Sequence, residues 1–155
     1  MAKTFFNKAL FFLVFFGASF PGFSQSSIPQ LQDSLNKTTS TKEKADICFT
    51  ISVLYSNKLK IDSALFFANK VKEFSQQGAY ETGLGKGYFA KGLAFLYRSK
   101  NEEAEENTLK AIEIFTHQKE TTLLGRAYMQ MGQIQYRFNI LLSAESSFTI
   151  CLVIR

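Results

Sequence analysis

One stretch of this chain has the composition of a phosphate-binding loop, namely Gly83-Leu84-Gly85-Lys86-Gly87. Such a loop holds phosphate oxygens on backbone N–H groups, and it requires Ser or Thr after the lysine and a strand before the glycines. Position 87 is Gly, and the residues before the stretch have helical rather than alternating spacing. The pattern therefore disfavours nucleotide binding. We expect the glycines to loosen the preceding turn and to allow close packing at the start of a helix.

Residues suited to nucleophilic or metal chemistry are few and scattered. His117 is the only histidine, and the two cysteines are Cys48 and Cys151. A catalytic thiol requires a base beside it, and a metal site requires several ligands at close spacing. The acidic run at 102–106 falls at a predicted helix start, where carboxylates favour the positive end of the helix dipole. These observations predict a protein that is not an enzyme and has no catalytic residues, no cofactor and no metal site.

Residues 1–24 have the three parts of a secretory signal peptide. Two lysines are followed by an apolar run from Ala9 to Phe20, and Gly22 and Ser24 then supply small residues at the spacing of a cleavage site. The apolar run has 12 residues, whereas a bilayer-spanning helix needs about 20, so cleavage is favoured over a retained anchor. The chain is therefore predicted to be exported, to the periplasm or outside the cell. Membrane contact is expected only during export, unless the chain continues beyond this sequence.

The charge of the chain disfavours a nucleic-acid partner. The net charge is +5, and it falls to +3 without residues 1–24, which hold two lysines and no acid. No block of lysines and arginines of the kind that binds a phosphate backbone is present. The apolar fraction of 46% is high enough for a folded core.

Residues 41–155 contain an internal repeat with a period of forty residues. Tyr88 is matched by Tyr128, and Gly92 is matched by Gly132. An earlier and more divergent copy has the small residue Ser52 at the place of the two glycines. Three copies at one fixed period indicate a repeat array. The second half of each copy contains a matching alanine, at Ala64, Ala104 and Ala144.

Each copy is predicted to form two helices joined by a tight turn, because apolar residues recur at helical spacing in both halves. No stretch alternates with a period of two, so no strand is predicted. Pro29 and the spacing of Ile28, Leu31 and Leu35 predict a short helix within a leader at 25–40, and Ser40 to Glu43 reads as a capping box. The repeat domain is expected over 41–155, with repeats at about 41–80, 81–120 and 121–155. The expected helices are 45–56, 62–77, 81–98, 101–116 with Asn101 as N-cap, 122–138, and 140 to the end after a turn at Asn139.

These copies resemble the tetratricopeptide repeat, in which an aromatic residue, Leu-Gly and Tyr recur in the first helix and Ala-x3-Phe in the second. The copies read Tyr88-x2-Lys91-Gly92-x2-Phe95, Tyr128-x2-Met131-Gly132-x2-Gln135 and Cys48-x2-Ile51-Ser52-x2-Tyr55, with Ala144-x3-Phe148 in a second helix. The resemblance implies an all-α, right-handed solenoid of about three stacked antiparallel helix pairs. The period of forty exceeds the family's thirty-four or so, and no proline closes a repeat.

In such arrays the first helix of each pair lines a groove that receives a peptide or another protein. A carboxylate-gripping form of the groove would need Lys, Arg and Asn where this chain has Phe, Val, Leu, Met and Gln, so that function is not expected. We expect a partly apolar groove for a peptide or protein segment. The open alternative is that some of these residues pack against further helices. The matching positions here are Phe49, Val53, Asn57, Phe89, Leu93, Tyr97, Met129, Gln133 and Arg137, and Lys86 and Arg126 add positive charge at the rim of the groove.

The two cysteines are not expected to form a disulfide. Two repeat steps place Cys48 and Cys151 on the order of 20 Å apart, too far for a disulfide, so both are expected to be buried core residues. The last helix has apolar residues on more than one face, which predicts missing repeats or an oligomeric or partner contact at that end.

Two functions remain open. One is a non-catalytic interaction scaffold, and the other is the N-terminal periplasmic sensor part of a membrane receptor (a histidine kinase or transcription regulator).

Overall fold

The computed structural model describes residues 27–153, and the side chains of residues 27–139. The predicted signal peptide at 1–24 lies outside the described residues. Six helices follow one another, no strand occurs between residues 27 and 153, and consecutive helices pack against each other, as predicted. Within these residues, no helix combines the length and the apolar character that crossing a bilayer requires. The helices are α1 Ile28–Lys37, α2 Thr41–Asn57, α3 Ile61–Gln77, α4 Glu81–Tyr97, α5 Asn101–His117 and α6 Thr121–Val153.

The starts of α1 and α2 follow from side-chain caps. Ser27 accepts a hydrogen bond from the backbone N–H of Gln30 and the Gln30 side chain accepts one from Ser27, which completes a capping box. Ser40 accepts from the N–H of Glu43, so the predicted cap of α2 is present. The carboxylate of Glu43, however, accepts from the hydroxyl of Thr38. The leading helix and its position are confirmed.

The forty-residue period has a simple structural origin. Each of the helices α2 to α5 has 17 residues, and the turns between them have three residues each, so two helices and two turns make one period. Each turn holds one non-glycine residue with positive φ, at the second of its three positions. The N–H of the third turn residue donates to a carbonyl in the last helical turn, as Lys60 does to Tyr55 at 3.0 Å. This is the Schellman arrangement. The positive-φ residues are Leu59, Ala79, Ser99 and Lys119.

The centre of the fold is α4, which contacts α2, α3, α5 and α6. Its glycines allow the neighbouring helices to approach closely. A Cβ atom on Gly85 would lie 2.6 Å from the ring of Phe115 in α5, and one on Gly87 would lie 2.5 Å from the Lys72 side chain in α3. A Cβ on Gly92 would lie 2.6 Å from the Thr108 hydroxyl. The predicted role of these glycines in close packing is confirmed, and the stretch that resembled a phosphate loop is helical.

The core consists of alanines set against large side chains. Phe89 and Phe115 pack with Ala111 and Ala127, while Leu96 and Ile134 pack with Ala104. In the first hairpin, formed by α2 and α3, the fully buried Ser52 hydroxyl donates a hydrogen bond to the backbone oxygen of Ala64 at 2.7 Å. This polar group is therefore satisfied at the position that Gly92 occupies in the second hairpin, formed by α4 and α5. The predicted small residues Ser52, Gly92, Ala64 and Ala104 therefore all lie at helix contacts.

Two predictions about helix boundaries are wrong. The turn expected at Asn139 is absent, because α6 continues as one 33-residue helix to Val153. As a consequence no described helix returns along the first half of α6, and a Cβ on Gly132 would have no described atom within 4 Å. The predicted packing of Gly132 is therefore not present. Asn101 is also not an N-cap: Lys100 takes that place, because the Schellman turn ends there, and Asn101 is buried inside the first turn of α5.

The glycines of α4 and α6 provide a matched pair for testing close approach. We expect Gly85→Ala to destabilise the fold by about 1–3 kcal/mol, because the ring of Phe115 is fully buried and has little freedom to move. Gly125, forty residues on, has no described atom within 4 Å, so Gly125→Ala is expected to stabilise by up to about 1 kcal/mol through helix propensity. Urea unfolding in dilute solution measures both. Equal effects of the two substitutions would contradict the role assigned to Gly85.

Candidate functional site

A cavity of about 230 Å³ lies between α2, α4 and α6. Eight of the eleven residues predicted to form a groove line it, and they come from three helices that are far apart in sequence. Gln130 is the one lining residue that the sequence analysis did not include. The lining consists of Val53, Asn57, Phe89, Leu93, Tyr97, Arg126, Met129, Gln130 and Gln133.

Two phenylalanines at matching positions of α2 and α4 form the apolar side of this region. The ring centroids of Phe49 and Phe89 are 6.1 Å apart, with the planes tilted by 58°. Phe89 is only 4% exposed and belongs to a core cluster, so its ring serves the core as well as the cavity wall. Met129, at the matching position of α6, is 69% exposed. The alternative that the predicted residues pack against helices thus applies to Phe89, whereas Met129 is available to a ligand.

A row of charged residues runs along the same side of the three helices. Asp46, Lys86 and Arg126 occupy matching positions forty residues apart. The ammonium group of Lys86 lies 2.7 Å from the Asp46 carboxylate and donates to the Tyr80 hydroxyl at 3.0 Å. Burial acts to lower the pKa of Lys86, but the hydrogen bonds to Asp46 and Tyr80 outweigh it and raise that pKa above its ordinary value. The charge of Lys86 is therefore neutralised within the protein.

Arg126 is in a different situation from Lys86. Its guanidinium carbon lies 5.3 Å from the ring centroid of Phe89 and 5.9 Å from that of Phe49, which are cation–π distances. Among residues with described side chains, no carboxylate comes within ion-pair distance of Arg126, and the residue is exposed. The cavity therefore has an apolar wall with one cation at its edge whose charge is not neutralised by a described carboxylate.

Arg137 was predicted to line the groove, but its side chain contacts the end of α4 instead. Its guanidinium donates to the backbone oxygen of Leu96, near the end of α4, and it does not line the cavity. Cations favour the carbonyl end of a helix, so the side chain is held by that helix end. Phe49 and Lys86 also lie beside the cavity rather than in its lining, Phe49 beneath Arg126 and Lys86 bound to Asp46.

Gln130 was not predicted because the repeat gives no sign of it. The matching residue in the previous copy is Ala90, whereas Gln130 is a long polar side chain that is only 3% exposed. Its amide donates to the Thr108 hydroxyl at 2.8 Å, and Thr108 in turn donates to the oxygen of Ala104 at 2.7 Å. This chain of hydrogen bonds ties α6 to the second hairpin and sets the position of the cavity wall. Asp46 was also missed, although its place forty residues before Lys86 was a usable signal.

The remaining candidates for chemistry are not brought together. Cys48 is fully buried and free among Ala45 and Val71, and burial raises the pKa of its thiol to about 11, opposite to the shift of a catalytic cysteine. His117 is exposed in the last turn of α5. In the described part of the chain, no group of three or more His, Cys, Asp or Glu could hold a metal ion. The side chain of Cys151 lies outside the described residues.

A larger cavity of about 580 Å³ lies near the start of the chain, between α1 and the first hairpin. Phe66, Phe67 and Phe74 supply its aromatic lining. None of its lining residues comes from the second or third copy, so the repeat does not build it. For that reason the smaller cavity, which all three copies form, is the stronger candidate site.

Comparison of the chain with protein-family models found no match, and comparisons with curated proteins and with solved structures found no significant one.

The raised thiol pKa of Cys48 has a consequence for stability at high pH. The unfolded thiol ionises near pH 9, while the folded thiol stays protonated to about pH 11. The unfolded state therefore loses a proton first, and stability is expected to fall as pH rises from 9 to 11, by up to about 2–3 kcal/mol. Urea unfolding from pH 8 to 10.5 should show a steeper decline for the native chain than for Cys48→Ala. The two proteins differ only at this thiol, so parallel slopes would contradict the assignment.

Proposed function

We propose that this protein is a non-catalytic interaction scaffold built of tetratricopeptide-like helix pairs, and that it binds a peptide or protein segment at the cavity between α2, α4 and α6. The observation that carries the proposal is that matching positions of three successive copies converge on one cavity. The resemblance of the repeats to that family supports it, because the first helix of each pair lines the binding groove there. We further propose that this binding takes place outside the cytoplasm, and the signal-peptide features of residues 1–24 support that location.

The volume of the cavity limits the size of the ligand group that it can hold. A volume of about 230 Å³ is smaller than the sites that hold whole drug-sized molecules, which begin at about 300 Å³. It suits one apolar side chain of a bound segment, set against Leu93 and the exposed Met129. Methionine is unbranched and polarisable, so Met129 can adapt to side chains of different shape.

The charge at the edge of the cavity adds a second element of recognition. Lys86 already pairs with Asp46, whereas Arg126 is exposed over two aromatic rings. A carboxylate of the ligand would form a charge-assisted hydrogen bond with the guanidinium of Arg126, and such bonds are about twice as strong as neutral ones. The proposed ligand is therefore a segment with an apolar side chain next to an acidic one.

The apolar part of the site is tested by selecting binders from a random peptide library on the purified chain. We expect the selected peptides to lose binding to Met129→Glu, because a carboxylate would then occupy the apolar wall. Leu109→Glu is the matched control, since Leu109 is 52% exposed on α5, away from the cavity. Both positions are exposed, so both variants should fold. Selected peptides that bind the Met129 variant as tightly as the native chain would place the binding site elsewhere.

The charged part of the site is tested with the same peptides by titration calorimetry. We expect Arg126→Ala to weaken binding of peptides that contain a carboxylate by about tenfold, which corresponds to about 1.4 kcal/mol. Lys110→Ala removes the same charge from α5 outside the cavity and should leave the affinity unchanged. The loss should shrink as salt is raised, because the contact is partly exposed. Equal affinities of the Arg126 and Lys110 variants would contradict recognition of an acidic residue.

A further inference from the structure

The larger cavity, between α1 and the first hairpin, exists because α1 packs on only one of the two helices of that hairpin. Helix α1 contacts α2, whereas within residues 27–139 no Cα atom of α1 lies within 8 Å of a Cα atom of α3. Leu35 on α1 and Phe67 on α3 therefore line the cavity from opposite sides of a gap. The volume of about 580 Å³ falls within the range of about 300–1,000 Å³ that is usual for small-molecule sites.

The aromatic lining of the larger cavity is specific to the first copy. Forty residues after Phe66 and Phe67 stand Glu106 and Asn107, so the repeat itself does not require aromatic side chains at these places. Phe66 is nevertheless 57% exposed, and its ring stands edge-on to that of Phe67, with the centroids 5.3 Å apart. The ring of Phe66 thus extends the apolar wall of the cavity to the protein surface, where the ring of a ligand would pack against it.

Two lysines supply the charge of the larger cavity. The ammonium groups of Lys44 and Lys70 lie 5.6 Å and 5.9 Å from the ring centroid of Phe74, and all three residues line the cavity. Lys70 forms a partly exposed ion pair with Glu73 at 2.7 Å. Among residues with described side chains, no carboxylate comes within ion-pair distance of Lys44, and no acidic residue lines the cavity. An aromatic wall with positive charge beside it is complementary to an anion with an apolar body.

We propose that the larger cavity binds a small aromatic carboxylate, with its ring against Phe66 and Phe67 and its carboxylate on Lys44. The ammonium group would donate a charge-assisted hydrogen bond, which is about twice as strong as a neutral one. Gln32 and Asn36 line the same cavity from α1, and their side-chain amides can donate to the second carboxylate oxygen. A neutral aromatic ligand would instead desolvate the charge of Lys44 without pairing it, which is unfavourable.

This site is separate from the proposed peptide site. The larger cavity takes its lining from α1, α2 and α3, the smaller one from α2, α4 and α6, and no residue lines both. A ligand in the larger cavity would connect α1 to α3, which do not otherwise contact each other in the described part of the chain. Because that arrangement exists only in the folded state, the ligand is expected to raise the midpoint of thermal unfolding.

The role of the charge is tested by titration calorimetry with 2-naphthylacetate and its neutral amide. We expect the native chain to bind the carboxylate about tenfold more tightly than the amide, a preference that Lys44→Gln removes without changing binding of the amide. Lys42→Gln is the matched control, because Lys42 also lies on α2, 5.0 Å from the ring centroid of Tyr80, and does not line the cavity. Equal affinities of the native chain for the two ligands, or an equal loss of carboxylate binding in both variants, overturns the proposal.

The role of the aromatic wall is tested with the same ligands on Phe66→Glu. This substitution introduces the residue type that the second copy has at the matching position, so the variant should keep the helicity and the thermal midpoint of the native chain. We expect both ligands to bind it about tenfold or more weakly, because a carboxylate replaces the apolar contact. Leu109→Glu, at a 52% exposed position on α5, should bind as the native chain does. The proposal is wrong when 2-naphthylacetate does not bind the native chain, or binds Phe66→Glu with native affinity.

Discussion

The close approach of α4 to the helices around it is the interaction on which the rest of this structure depends. Glycine in a helix costs about 1 kcal/mol relative to alanine, and α4 has four buried glycines. Because these residues have no side chain, the ring of Phe115 and the side chain of Lys72 can occupy the space where side chains on Gly85 and Gly87 would otherwise be. Since α4 contacts α2, α3, α5 and α6, any change in these distances would alter both the core and the cavity.

The turns between the helices keep matching residues of successive copies in register. Because four helices of equal length are joined by turns of the same Schellman type, matching residues of successive copies fall side by side. The ion pair of Asp46 with Lys86 is a direct result, since its two members stand forty residues apart. The same register places Arg126 next in the row, at the edge of the cavity. A cavity lined by matching positions of the repeats is therefore a consequence of turn geometry as much as of side-chain choice.

Much of the fold and of the candidate site could be predicted from residue types and spacing, and the exceptions share a cause. Val53, Leu93 and Met129 were predicted because their places within each copy are set by the small residue that marks it. Gln130 and Arg137 depend instead on what lies opposite them, Thr108 in one case and the carbonyl of Leu96 in the other. No periodicity records such partners. Polar side chains of this kind are the part of a site that spacing does not reveal.

The sequence by itself determined the helical class, the forty-residue period, the close-packed glycines of α4 and most of the cavity lining, because those features follow from local propensity and from residues that recur in register. Only the tertiary structure decided whether a repeated pattern is covered. Gly92 and Gly132 are equivalent in sequence, yet α5 lies on the first and no described helix lies on the second, since α6 runs through Asn139 without turning. The residues matching Asn139 in the earlier copies, Leu59 and Ser99, have positive φ in turns, so the position within the repeat does not by itself fix the backbone conformation.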